Sequence, residues 1–84
     1  MTSTEDVFEI PFKVYPNPVQ SQLYIESEGS IEYQFTLLSF DGKLVHQSEN
    51  TSVLDVDAFL PGLYFIKLTD RTAQKNYYRQ VVIE

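Results

Sequence analysis

The 84-residue chain has no cysteine and no tryptophan, three glycines, and six basic residues against twelve acidic ones. Each shortage closes a route. Without cysteine, neither a disulfide framework nor a thiolate zinc site staples a chain that is near the lower size limit for a single apolar core. Stability must come from packing. Six scattered basic residues under a net charge of -6 cannot neutralise a phosphate backbone or an anionic bilayer, which argues against nucleic acid and membrane as partners. No run approaches the ~20 apolar residues that cross a bilayer, so no membrane insertion is expected. The opening MTSTEDVFEI has neither the basic start nor the apolar run of a signal peptide. Residues 1–7 read as a linker or an added tail, and residues 8–84 as one domain cut from something larger.

What the chain does have is bulk and alternation. Six Phe and six Tyr supply packing material, and from Phe8 onward apolar residues recur with period two while no window sustains helical spacing. FEIPFKVY puts Phe8, Ile10, Phe12 and Val14 on one face. Pro11, which has no amide hydrogen for a ladder, marks that strand as an edge or as bulged at that point. QLYIES turns Leu23 and Ile25 inward, and EYQFTLLSF aligns Tyr33, Phe35 and Leu37 over a length that suits a central strand. Asp41-Gly42 predicts a tight primed hairpin turn leading into KLVHQS. After Asn50-Thr51-Ser52, SVLDVDAF points Leu54, Val56 and Phe59 to the core. Pro61-Gly62 reads as another tight turn before Tyr64, Ile66 and Leu68, and Asp70 to Gln74 as the last turn before KNYYRQVVIE. About seven strands with turns roughly every ten residues predict an all-β, immunoglobulin-like antiparallel sandwich.

Chemistry is sparse. His46 is the one histidine and has no nucleophile and orienting group arranged around it, so it reads as a half-exposed strand residue and no catalytic site is expected. The isolated glycines cradle no phosphate, and no cofactor is implied. Asp55 and Asp57 share a strand face, yet without a third ligand at loop spacing they read as an acidic strand edge and not as a metal site. Tyr15, Tyr24, Tyr33, Tyr77 and Tyr78 offer an aromatic platform for sugars, against the plainer reading of core packing. Tyr77 and Tyr78, being adjacent, face opposite ways.

VYPNP, LLSFDGKLV, LDVDAFLPGLYFIKL and RQVVIE follow one another in an order that resembles the type A C-terminal sorting domain of the type IX (Por) secretion system of Bacteroidetes-type bacteria. The likeness runs from about Val14 to Glu84. It implies a domain fused behind an N-terminal cargo. The cargo is routed through the periplasm and across the outer membrane by the translocon and its shuttle to the cell surface or the medium, and a sortase-like protease removes the domain while anchoring the cargo. Under that resemblance Tyr15, Pro16, Asn17 and Pro18 match the family's Tyr-Pro-Asn-Pro motif. Gly42 and Lys43 match its Asn-Gly-Lys hairpin, with Asp41 in place of Asn. Gly62 and Tyr64 match its Pro-x-Gly-x-Tyr element, with Pro61 one place displaced. In the last strand Arg79 stands where paired Lys is common, and Arg79, Val81, Val82, Ile83 and Glu84 are the expected recognition end, able to pair with a receptor edge by strand addition.

Two other readings fit the same fold: a carbohydrate-binding module built on the tyrosines, and an adhesin-type spacer. The prolines of VYPNPVQSQLYI end one strand at Tyr15 and form a rigid corner before pairing restarts at Gln22. The exposed edges of so small a sandwich also allow a homodimer or a strand swap.

Overall fold

Alternating chains with one apolar face must bury that face against another sheet. The computed structural model describes residues 11–29 and 31–84, and these form two antiparallel sheets. β1 (Phe12–Tyr15), β2 (Gln22–Ser27) and β5 (Val53–Asp55) make a three-stranded sheet in the order β1-β2-β5. β3 (Tyr33–Ser39), β4 (Leu44–Glu49), β6 (Gly62–Asp70) and β7 (Lys75–Ile83) make a four-stranded sheet in the order β4-β3-β6-β7. The immunoglobulin-like sandwich is thus the observed fold. Phe8 and Ile10, expected on the inward face of the first strand, lie outside the described residues.

The core sits between the sheets as the period-two reading requires. Phe12, Leu23, Ile25 and Leu54 come from the smaller sheet, and Tyr33, Phe35, Leu37, Tyr64, Ile66, Leu68, Val81 and Ile83 from the larger, all buried. At one end Phe12 packs edge-on against Tyr33, with ring centroids 5.0 Å apart, and against Tyr77 at 5.7 Å. Such aromatic pairs add to the burial of their area. Tyr33 also ties β3 to the loop between β4 and β5. Its amide donates to Asn50 Oδ1 at 2.9 Å and its hydroxyl to the Thr51 carbonyl at 2.5 Å.

Three turns differ from their expected form. Asp41-Gly42 is not a primed two-residue turn: the Ser39 amide donates to the Lys43 carbonyl and the Gly42 amide to the Ser39 carbonyl, both at 2.9 Å, and Gly42 has φ 87°. That is a three-residue loop ending in a left-handed glycine, the other common hairpin solution. Pro61-Gly62 is not a turn either. The chain reverses earlier, where the Phe59 amide donates to the Val56 carbonyl, and Gly62 already pairs with Ile83 as the first residue of β6. Pairing after the prolines restarts at Val19 instead of Gln22, in parallel with Ile83 and in the other sheet. An alternating-pattern reading cannot see a single residue that changes sheets.

Candidate functional site

Prolines withhold two amides from the ladder, so the segment between β1 and β2 must be held by what lies between them. Both the Tyr15-Pro16 and Asn17-Pro18 bonds are cis. Asn17 sits between the two rings and uses its carboxamide as a surrogate peptide group. Nδ2 donates to the Gln80 carbonyl at 3.1 Å, and the Val82 amide donates to Oδ1 at 3.0 Å. Two residues on, the Val19 amide donates to the Val82 carbonyl and the Glu84 amide to the Val19 carbonyl, each at 2.8 Å, while the Val19 side chain is wholly buried. The outward-facing backbone of the last strand, from Gln80 to Glu84, is therefore already paired. Strand addition by a receptor at Val81 to Glu84 has no free ladder there, which corrects the expected pairing of that end.

The other motif residues lie in register with this clamp. Gly62 opposes Ile83, Leu63 opposes Val82, and Tyr64 opposes Val81 on one side and Ser39 on the other. Ser39 in turn closes the hairpin that carries Gly42 and Lys43. Corner, hairpin and β6 start thus form one band across the end of the four-stranded sheet. Tyr64 is buried and its hydroxyl donates to the Leu60 carbonyl at 2.5 Å. This is the tyrosine corner of immunoglobulin-like sandwiches, a Tyr near a strand start bonded to backbone just upstream. Gly62 has φ 149°, and nothing lies within 4 Å of where a Cβ would be, so the glycine answers to backbone conformation and not to space.

The domain model for secretion system C-terminal sorting, the Por secretion tail, matches residues 13–84. The chain belongs to that family of sorting domains. As a fold, the sorting domain is similar to part of PorZ, described as an essential bacterial surface component of the type-IX secretion system of human oral-microbiomic Porphyromonas gingivalis. The superposition has a TM-score of 0.70 at 18% identity and covers 98% of this chain but 12% of that one, so the likeness is one of architecture. No curated protein matches the chain significantly.

Within the sorting domain, the expected signal residues divide by exposure. Tyr64, Val81 and Ile83 are buried in the end of the sandwich, and Tyr15, Pro16, Asn17, Pro18, Gly42, Lys43, Gly62, Arg79, Val82 and Glu84 are exposed on its surface. Arg79 alternates onto the same side of β7 as Val81 and Ile83 but is itself exposed. Asp41, in the hairpin, has its carboxyl held below the ordinary range chiefly by the Ser39 hydroxyl, with Lys43 Nζ 3.9 Å away. Tyr15 donates to Glu26 Oε2 at 2.5 Å, a bond that is the main cause of raising its phenol above the usual value, and it stacks on Tyr24 at 5.6 Å. Of the five platform tyrosines the fold pairs only these two. Tyr33 is buried, Tyr77 packs on Phe12, and Tyr78 is on the opposite face. His46 is half-buried between Phe35 and Phe59, 6.3 Å from each ring, and Asp55 uses Oδ1 to accept the Asp57 amide.

The motif reading passed over a set of exposed apolar side chains at the same end: Phe40 at 73%, Leu44 at 60% and Leu60 at 79% exposure, beside Leu63 and Val82. Phe40 and Leu60 each stand directly before a dipeptide of turn-forming composition, Asp41-Gly42 and Pro61-Gly62, of which only the first lies in a turn here. An apolar residue at a place that local turn chemistry fills with polar ones is the signal that marks them.

Proposed function

We propose that this domain labels an N-terminally fused cargo for export through the type IX machinery and is read as a folded surface, at the end of the four-stranded sheet where the motif residues converge. The observation that carries the reading is that convergence: residues separated by up to 68 positions, Pro16 to Glu84, meet in one band beside exposed Phe40, Leu44 and Leu60. The first described strand begins at the other end, where Phe12 packs on Tyr33 and Tyr77. β6 has nine residues, so at ~3.3 Å per residue the two ends are about 26 Å apart. A cargo attached there leaves the band open to a receptor.

In this reading the domain passes through the periplasm with its cargo, crosses the outer membrane, and is then cut off by a sortase-like protease as the cargo is fixed to the surface. It is the substrate of that step and catalyses nothing. The test is a periplasmic reporter fused ahead of residues 1–84 in a strain with the type IX system. Surface exposure of the reporter is expected, and its retention in the periplasm overturns the reading. The stacked Tyr15 and Tyr24 favour a second reading, a glycan-binding module. It predicts a change in tyrosine fluorescence on adding polysaccharide, and silence on a glycan array removes it.

A further inference from the structure

Asn17 and Val19 occupy the outer edge of β7 only from the Gln80 carbonyl onward. Backbone groups alternate along an antiparallel strand, so the residues that share this outward direction upstream are Asn76 and Tyr78, together with the Gln80 amide. Among the described residues none of these has a backbone partner on that side. Across from them runs the edge of the other sheet. The Glu28 amide donates to the Pro11 carbonyl, which turns the odd positions of β1 toward β2 and leaves the backbone of Val14 facing out. Between the two edges lies a groove of about 610 Å³, lined by Lys13, Val14 and Tyr15 from β1 and by Tyr78, Arg79 and Gln80 from β7.

Charge selects what fits. Among the described residues no carboxylate lines the groove, and neither Lys13 nor Arg79 is within ion-pair distance of an acid. Among the described residues, Glu26 lies directly across the strands from Lys13, but its carboxylate accepts the Tyr15 hydroxyl. In a chain with net charge -6, two cations that make no ion pair among the described residues, set over an open strand edge, favour an anionic ligand there. Among the described residues the other edges lack this combination: β5 has three residues and ends in Asp55, and beside β4 the cations of Arg71 and Lys43 pair with Glu49 and Asp41.

We propose that the groove between β1 and β7 receives an extended acidic segment of a partner protein, which adds as a strand to β7 between Asn76 and Gln80. Main-chain bonds to the free edge hold it, and its carboxylates face Lys13 and Arg79. Asn17 is the stop that fixes the register, since its carboxamide already fills the next position. That the partner belongs to the export machinery rests on the sorting reading above, whereas the binding itself does not.

The experiment titrates residues 1–84, 15N-labelled, with the peptide acetyl-Glu-Thr-Glu-Val-Glu-Thr-Glu-amide, its counterpart with Lys at every Glu, and a version N-methylated at alternate residues. The acidic peptide is expected to bind with Kd on the order of 100 μM at low salt. Shifts should centre on Asn76, Tyr78, Gln80 and Val14, and binding should weaken about tenfold in Arg79→Gln or Lys13→Gln, both exposed and removable without core loss. The N-methylated peptide should not bind. Equal binding of the lysine or N-methylated peptide, shifts centred on β4 or β5, or no binding at millimolar peptide each overturns the proposal. Failure here leaves reporter export untouched, and failure of export leaves peptide binding untouched, so the two readings fall separately.

Discussion

Asn17 is one side chain doing the hydrogen bonding of a strand residue where two prolines have taken the amides away. Replacing it with Ala leaves the Gln80 carbonyl and Val82 amide without partners and should cost about 1–2 kcal/mol, at roughly 1 kcal/mol per bond. Asn17→Asp keeps the acceptor for Val82 and loses the donor to Gln80. Hydrogen exchange at the Val82 amide should therefore quicken in the Ala variant and stay slow in the Asp variant; equal exchange in both would show that the clamp does not hold β7. Tyr33 supplies a pH-dependent case. Burial raises its phenol above the ordinary 10.0, so the fold favours the neutral form. That contribution is complete below the unfolded value and is lost as pH rises through the folded one. The protein should lose melting temperature above pH ~10, and Tyr33→Phe should flatten that loss at a neutral-pH cost of about 1 kcal/mol, because the Thr51 carbonyl loses its donor. An alkaline slope unchanged in the variant assigns it to other tyrosines.

At the scale of elements, the terminal strand is both the expected recognition end and part of the core. Val81 and Ile83 are buried, and β7 supplies the partners of Val19. Removing Val81 to Glu84 takes out two buried aliphatic side chains worth ~1.5–3 kcal/mol each, a large share of the ~5–15 kcal/mol that holds a domain folded. The truncated domain should lose its cooperative melt by circular dichroism. Blocked export in that variant then reports unfolding and says nothing of recognition. Gly62 isolates a backbone effect on the same strand. Gly62→Ala meets no atom within 4 Å, so its cost, about 1–3 kcal/mol, is that of holding a side chain at φ 149°. A loss near zero in chemical denaturation would mean β6 shifts to relieve it. These elements were largely legible in the sequence because period two and turn dipeptides are local signals: Leu23, Phe35, Leu37, Ile66 and Leu68 were all placed inward by alternation alone. The clamp was not. Asn17 reaches Gln80 and Val82 across more than sixty positions, and no local pattern encodes which strand edge a carboxamide will meet. The same limit hid the form of the hairpin, since Asp41-Gly42 suits either turn and the choice depends on whether Phe40 or Ser39 pairs with Lys43.

For the whole molecule, the question is whether export reads the far end or simply requires a folded domain. The fold separates the two, because the exposed apolar set at that end contributes little to the core. Phe40, Leu44 and Leu60 keep 73%, 60% and 79% of their surface in water, and surface changes away from caps and buried networks usually move stability by about 0.5 kcal/mol or less. Phe40→Ser, Leu44→Thr and Leu60→Ser combined should leave the melting temperature within a few degrees of the parent, a domain of this size shifting roughly 4–8 °C per kcal/mol. If the machinery docks on this end, it loses the desolvation of three apolar side chains, each worth on the order of 1–2 kcal/mol where it is fully covered. Surface display of a fused reporter should then fall at least about tenfold, with the reporter accumulating in the periplasm as a folded fusion. The control is an equal number of polar changes at the cargo-side end, at Arg71 and Ala73 in the β6–β7 turn and at Lys75, the first residue of β7, all exposed, which should leave export as it was. Undiminished export by the far-end variant would mean that the machinery reads the domain elsewhere, and the groove between β1 and β7 would be the next surface to alter.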